Sequence, residues 1–137
     1  MGREDVELLR SAYEALNRGD TEAALEVLEP GAEWCEHSAL PEAGTYYGRE
    51  AIKAFLERFL ESWHEFRQDV ERIVESGDRV ALLLHSFAVG KGSGVEVEGR
   101  YAHVWTMRDG RGIRVDTYDD VTAALESIAD LRASADA

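Results

Sequence analysis

The sequence predicts an α+β fold, with helices on one face of a curved antiparallel sheet. Helical periodicity dominates the chain as far as residue 64, apart from one short strand. Four extended runs follow over 66–120, and a short helical segment closes the chain at 121–132. Helices and strands segregated in this way favour an α+β fold, which leaves room for a pocket between the helices and the curved sheet.

Three helices are predicted in the first half of the chain. Residues 4–17 carry an apolar stripe at steps of three and four, and Gly19 follows as a terminator. Asp20 is the expected N-cap of a second helix over 21–28, which Pro30 stops. The longest predicted helix spans 48–64. Its apolar side is formed by Ile52, Phe55, Leu56, Phe59, Leu60 and Trp63.

Residues 32–37, AEWCEH, alternate in polarity and predict a short strand. Trp34 and Glu36 share one face of this strand, so Glu36 faces the interior if Trp34 does. Residues 38–48 are rich in Gly and aromatic side chains and predict an irregular loop.

The turn sequences SGD, GKGSG and RDGRG separate the four later runs, which predicts an antiparallel meander. A three-residue loop of Asp109, Gly110 and Arg111 would fix the register of the last hairpin. One face then carries Tyr101, His103, Trp105, Met107, Ile113, Val115, Thr117 and Asp119. The other face carries Ala102, Val104, Thr106, Arg114, Asp116 and Tyr118. The first set is less charged, so we expect it to face the interior.

Length and composition indicate one domain over 1–137, with residues 132–137 frayed. The net charge of −13 argues against nucleic acid and anionic membranes as partners. Cys35 is the single cysteine, so no intramolecular disulfide forms and a cytoplasmic location is expected. We find no signal peptide or membrane-spanning run in the sequence.

Four residues are candidates for catalysis: Asp119, His103, Glu36 and Tyr13. A carboxylate on an apolar face is costly unless it is paired or functional, although Asp119 or Asp120 could instead cap the helix that begins near Val121. A buried His103 could equally serve only to satisfy a neighbouring polar group. The expected ligand contacts are Trp34, Phe59, Trp63, Tyr101, Trp105 and Thr117. No two histidines have ligand spacing, and GKGSG lacks the P-loop pattern, so we expect no metal and no organic cofactor.

Four segments together carry a family resemblance: RGD at 18–20, AEWCEH at 32–37, YGREAIKAFLERF at 47–59 and HVWTMRDGRGIRVDTYDD at 103–120. Over about residues 4–131 the chain resembles the SnoaL-like branch of the nuclear-transport-factor-two-like superfamily. The resemblance implies a cone-shaped α+β barrel, commonly dimeric. Its members include polyketide cyclases, ketosteroid isomerases, dehydratases, epoxide hydrolases and non-catalytic binding modules, so the fold does not choose the activity.

The resemblance also implies roles for single residues. Glu36 falls where isomerase relatives place a general-base carboxylate, and His103 falls near their second, oxyanion-donating acid. Asp119 lies near the catalytic aspartate of SnoaL-like cyclases, with Asp120 as a competing match. Tyr13 sits about one residue from the isomerase tyrosine, and His103 replaces an acid; both departures speak against a steroid isomerase.

Two functional hypotheses follow. The first is a cyclase-like or isomerase-like enzyme acting on a hydrophobic carbonyl compound, with Asp119 or Glu36 as a base whose pKa burial raises and His103 and Tyr13 as enolate stabilisers. The alternative is a non-catalytic domain that binds a hydrophobic ligand or serves as a dimeric accessory. A homodimer is expected in either case, because 80–89 is apolar on both faces and helices would cover only one.

Overall fold

The computed structural model describes residues 2–37 and 44–136, with side chains over 4–37 and 44–128. The helices are α1 (Gly2–Asn17), α2 (Thr21–Leu25), α3 (Arg49–Glu61) and α4 (Val121–Asp136). The strands are β1 (Leu28–Glu36), β2 (Gly44–Tyr47), β3 (Trp63–Ser76), β4 (Arg79–Gly90), β5 (Glu96–Arg108) and β6 (Arg111–Tyr118). The fold is α+β, as the sequence predicts.

The strands form one sheet in the order β2-β1-β6-β5-β4-β3. Strands β3 to β6 form the expected antiparallel meander. Strand β1, however, pairs with β6 in parallel and with β2 in antiparallel orientation. The expectation of a wholly antiparallel sheet is therefore wrong at β1, which lies at the opposite end of the chain from its parallel neighbour.

The second helix is shorter than predicted, because α2 ends at Leu25 and Leu28 already belongs to β1. The pairing of β1 with β6 shifts register between Leu28 and Glu33, and Pro30 falls within this irregularity. Proline is tolerated in a strand at such a bulge, because no ladder hydrogen bond has to be donated there. Pro30 therefore interrupts the strand ladder rather than ending a helix.

The predicted loop at 38–48 contains the short strand β2, which pairs Tyr46 with Trp34 of β1. Residues 38–43 of that loop lie outside the described residues. Helix α3 ends at Glu61 rather than at 64, because the Ser62 N–H bonds to the Phe59 and Leu60 carbonyls and closes the last turn. Trp63 then begins β3 and does not belong to the helical stripe.

The register of the last hairpin agrees with the prediction where it matters for the interior. Asp109 and Gly110 have φ of 53° and 76°, and form a tight turn of two residues rather than three. A register shift between Thr106 and Met107 absorbs the difference. As a result, His103 opposes Thr117 and Trp105 opposes Val115 as expected. Met107 opposes Gly112 instead of Ile113, and Asp119 lies beyond the end of β6, so it does not pair with Tyr101.

The sheet has a core on each face. The inner core joins α1 and α3 to the sheet, with Leu9, Ile52, Leu82 and Val115 fully buried. The outer core lies under α4. It comprises Ala81, Ala102, Val104, Ala124 and Ile128. Helices therefore cover parts of both faces, contrary to the expectation that they cover only one.

Within the described residues, no helix is long and apolar enough to cross a membrane. The backbone of α4 runs to Asp136. The fraying expected at 132–137 stays a prediction, because the side chains beyond 128 lie outside the described part of the chain.

Gly112 of β6 lies directly against a core aromatic ring. A Cβ atom at this position would lie 2.5 Å from Cε3 and Cζ3 of Trp105, a ring that is 3% exposed. We predict that Gly112→Ala lowers the free energy of unfolding by about 1–3 kcal/mol, because Trp105 must shift within a packed core. Chemical denaturation measures this change.

Gly31→Ala is the matched control, since a Cβ at Gly31 of β1 meets no atom within 4 Å. Its free energy of unfolding should stay within about 0.5 kcal/mol of the wild-type value. Equal stability of the Gly112→Ala variant and the wild type would contradict the close packing of Trp105.

Candidate functional site

A cavity of about 280 Å³ lies between helices α1 to α3 and the inner face of the sheet. It brings together all ten residues singled out in the sequence. These are Tyr13, Trp34, Glu36, Phe59, Trp63, Tyr101, His103, Trp105, Thr117 and Asp119. The structure thus places every candidate at one location, although their chemical environments differ.

A chain of hydrogen bonds crosses the cavity wall from β5 to α1 and back. The Trp105 Nε1–H donates to the Tyr13 hydroxyl oxygen at 3.0 Å. The Tyr13 hydroxyl lies 2.6 Å from Nδ1 of His103. Trp105 can only donate, and among the described residues no other acceptor bonds the Tyr13 hydroxyl, so we assign its single hydrogen to Nδ1 of His103, which accepts it. This assigns the neutral tautomer of His103 that carries its proton on Nε2.

Burial keeps both members of this pair uncharged. It lowers the pKa of His103 to about 3 and raises the pKa of Tyr13 far above its ordinary value. The side chain of His103 lines the cavity, and among the described residues nothing accepts from its Nε2. His103 therefore presents a neutral N–H donor to whatever occupies the cavity.

Glu36 lies in the same row of the sheet as His103. Glu36 of β1 pairs with Thr117 of β6, which pairs with His103 of β5. The Cα atoms of Glu36 and His103 are thus two strand spacings apart, roughly 10 Å. Oε2 of Glu36 accepts from the Trp34 indole N–H at 3.0 Å. A half-buried carboxylate and a neutral donor therefore face one cavity.

The hydroxyl of Thr117 is already engaged by the backbone. It accepts from the His37 N–H at 3.2 Å and lies 3.4 Å from the Cys35 carbonyl oxygen, to which it donates. Thr117 thus lies between Glu36 and His103 in the row and ties β6 to β1. It also lines the cavity, and its expected contact with a ligand stays a prediction.

The two adjacent aspartates have different environments. Asp120 caps α4, because its Oδ1 accepts from the Thr122 N–H at 2.9 Å. Asp119 lines the cavity but is exposed, so the burial expected for it is wrong. The physical reason is its position just beyond the end of β6, where the chain leaves the sheet. Asp119 therefore stands at the mouth of the cavity rather than in its interior.

Aromatic rings make up much of the remaining wall. Trp34 meets His103 edge-on, with ring centroids 5.3 Å apart, and Phe59 packs against Trp63 and Phe66. The ring of Tyr101 lies 5.5 Å from that of His103. Burial raises the pKa of Tyr101, which keeps it a phenol. The wall therefore suits a flat, apolar molecule.

Gln68 is a lining residue that the sequence interpretation missed. Its side-chain amide donates to the Tyr101 hydroxyl, and Asn17 holds its backbone through hydrogen bonds of 2.8 and 2.9 Å. Only 6% of Gln68 is exposed, and its Oε1 lacks a hydrogen-bond partner among the described residues. The signal in the sequence was its place in the alternation of Phe66, Gln68 and Val70, where a polar residue interrupts an apolar face.

One cluster outside the cavity has side chains that could bind a metal ion. Candidate ligand atoms of Cys35, His37 and Asp116 lie within 4.8 Å of one another. The carboxylate of Asp116 already pairs with Arg114 at 2.9 and 3.0 Å and with His37 at 2.8 Å. Burial alone would raise the pKa of Asp116, but these hydrogen bonds outweigh it and lower the pKa. We therefore interpret the cluster as an ion pair within β6, between Arg114 and Asp116, which His37 joins by a hydrogen bond from the residue that follows β1.

Comparison with known proteins adds a family and a fold. A family model described as SnoaL-like domain matches residues 9–115. TerC, co-crystallized with polyporic acid, is similar at 25% identity and a TM-score of 0.78, over 93% of this chain and 98% of TerC. An NTF2-like protein of unknown function from Burkholderia pseudomallei is similar at 23% identity and a TM-score of 0.78, over 91% of this chain and 97% of that one.

Bal32a, from a soil-derived mobile gene cassette, is similar at 25% identity and a TM-score of 0.77, over 91% of this chain and 95% of Bal32a. No curated protein matches the chain. The family match confirms the predicted resemblance, and the NTF2-like structure confirms the expected cone-like fold.

The neutral state of His103 predicts a pH dependence of stability. Its pKa is about 3 in the folded protein against 6.5 ordinarily, so below pH 6.5 the unfolded chain binds a proton that the folded chain does not. The free energy of unfolding should therefore decrease as the pH is lowered. His103 should contribute up to about 1.4 kcal/mol of this decrease per pH unit between about pH 6 and 4. Denaturation curves at several pH values measure this slope.

His103→Gln removes that contribution and should flatten the slope. His64→Gln is the control, because His64 is exposed on β3 and should leave the slope unchanged. If the wild type and His103→Gln lost stability in parallel, His103 would not be held neutral in the folded protein.

Proposed function

The chain belongs to the SnoaL-like domain family, and we propose that it is an enzyme of the cyclase or isomerase type that moves a proton on a hydrophobic carbonyl compound. The observation that carries the proposal is the row of Glu36, Thr117 and His103 across three neighbouring strands. In this row, the Glu36 carboxylate and the neutral N–H of His103 both face one largely apolar cavity. Enolisation needs such a pair, a base and a hydrogen-bond donor.

In this mechanism, the carboxylate of Glu36 takes a proton from the carbon next to the carbonyl group. The Nε2–H of His103 donates to the carbonyl oxygen and stabilises the negative charge that develops there. A neutral donor suits this role, because it binds the enolate without having to ionise in an apolar site. The proton on Glu36 then returns to another carbon or to the oxygen of the product.

Tyr13 has a different role from the one expected. Its only hydrogen is donated to Nδ1 of His103, so it orients the imidazole and fixes its tautomer rather than contacting substrate. We therefore treat Tyr13 as a positioning residue.

Glu36 is a better base than Asp119 for this reaction. Glu36 is half-buried, in register with His103, and held by the indole of Trp34. Asp119 is exposed at the mouth, beyond the end of β6. A general base must lie within reach of the carbon whose proton it removes, and Glu36 shares a row with the donor, two strands away, whereas Asp119 lies beyond the end of β6.

TerC supports a cavity for an organic ligand, since TerC was co-crystallized with polyporic acid and its fold covers nearly the whole of this chain. The mechanism invokes no metal and no organic cofactor. A cytoplasmic location stays part of the proposal, on the basis of the single cysteine.

Binding without chemistry is the second candidate. It is favoured by the lining of the cavity, in which nine side chains are Phe, Tyr or Trp. Such a wall could hold an apolar ligand without catalysing any reaction, and proton exchange separates the two candidates.

A homodimer is also part of the proposal. Helix α4 covers only part of the outer face, and Phe87 of β4 remains 41% exposed. We propose that a second copy covers this region, which sedimentation at micromolar concentration tests. We expect the wild type to sediment as a dimer and the Phe87→Arg variant to sediment as a monomer. A monomeric wild type would refute the proposed dimer.

Hydrogen–deuterium exchange of 2-tetralone tests the proposed reaction without knowledge of the natural substrate. This bicyclic ketone carries acidic protons next to its carbonyl group, and their exchange in deuterated buffer is followed by NMR. The wild type should accelerate exchange above buffer. Glu36→Gln should slow the catalysed rate by about 100-fold or more, and His103→Gln by about 10-fold or more.

Glu33→Gln is the matched control, since Glu33 lies on the same strand but does not line the cavity. It should exchange 2-tetralone at the wild-type rate. Binding is monitored in parallel by fluorescence, because all three tryptophans line the cavity. A wild-type protein that binds 2-tetralone without accelerating exchange would favour the binding function instead.

A further inference from the structure

The cavity is negatively charged. Two carboxylates line it, Glu36 inside and Asp119 at the mouth, and among the described residues no lysine or arginine does. The whole chain carries a net charge of −13, so its long-range field has the same sign. An anionic ligand would therefore be repelled on approach and again inside the cavity.

The negative charge of Glu36 has no cationic partner among the described residues. The Trp34 indole N–H donates to its carboxylate, and no lysine or arginine lines the cavity around it. Charges interact more strongly in a partly buried, apolar setting than in water, so an uncompensated carboxylate there acts on any ligand beside it.

The aromatic wall is compatible with a cation as well as with a neutral ring. The faces of tryptophan, tyrosine and phenylalanine carry negative charge density and attract ammonium groups.

We propose that the cavity selects its ligand by charge: it prefers a hydrophobic molecule with an ammonium group, which pairs with Asp119 at the mouth, and it rejects carboxylates. The inference rests on the ligand-binding cavity of the proposed function and narrows the substrate class to amino ketones. With the ammonium group at Asp119, the ring system lies against the aromatic wall and the carbonyl group reaches His103. Glu36 then remains free to act as the base.

A set of ligands on one carbon frame tests this selection. The set comprises 2-aminotetralin, which is cationic at neutral pH, the neutral 2-tetralol, and tetralin-2-carboxylate. Dissociation constants come from tryptophan fluorescence at low ionic strength. We expect the amine to bind more tightly than the alcohol, and the carboxylate to bind about tenfold or more weakly than the amine. Added salt should narrow this ratio, because it screens the exposed charge at the mouth.

Asp119→Asn should reduce the preference for the amine over the carboxylate several-fold. Asp120→Asn is the matched control, because Asp120 is the adjacent residue and its carboxylate caps α4 instead of lining the cavity. Glu36→Gln is a second variant. It should raise the affinity for tetralin-2-carboxylate, because it removes the other negative charge that lines the cavity. Circular dichroism verifies that all three variants are folded.

The outcomes separate this inference from the proposed function. Equal affinities for the amine and the carboxylate, with the alcohol bound, would overturn charge selection and leave the ligand cavity intact. An unchanged preference in folded Asp119→Asn would overturn the pairing with Asp119. If no member of the set bound, the proposed function and this inference would both be wrong.

Discussion

The hydroxyl of Tyr13 is the contact on which the interior of this protein depends. It accepts from Trp105 and donates to His103, so one atom on α1 satisfies two ring nitrogens on β5. Each of these groups is almost fully buried, and an unsatisfied buried polar group costs about 1–3 kcal/mol. The same contact docks the first helix onto the sheet and determines which nitrogen of His103 faces the cavity. This one interaction therefore stabilises the packing of α1 on the sheet and fixes the tautomer of His103.

The second constraint is the register of the sheet. The tight turn at Asp109 and Gly110, corrected by the shift at Thr106, sets His103 opposite Thr117. The parallel pairing of β1 with β6 then brings Glu36 into the same row. A slip of one residue at either pairing would turn one member of the row to the outer face. Glu36 and His103 are 67 residues apart in the chain, so their convergence depends on these pairings and not on local sequence.

Much of the fold could be predicted from local patterns. The apolar stripe of α1, the body of α3 and the four later strands follow from periodicity and turn residues. The inner face of the last hairpin was also predictable, because the bulge compensates for the shorter turn. The start of β1 at Leu28, the strand β2 and the side on which α4 packs were not. They are decided by pairing and packing partners distant in sequence, which a propensity does not contain. Likewise, adjacency alone could not tell whether Asp119 or Asp120 caps the helix.

Nitrogen-15 NMR of the imidazole of His103 tests most directly whether the cavity presents a neutral donor held by Tyr13. The account predicts a neutral ring with the proton on Nε2, persisting from about pH 7 to pH 5, and a perturbed Nδ1 signal in the Tyr13→Phe variant. Tyr13→Phe removes the hydroxyl while keeping the ring. An imidazolium signal near pH 6, or a neutral ring with its proton on Nδ1, would contradict the account. His103 would then be unable to serve as the neutral enolate donor.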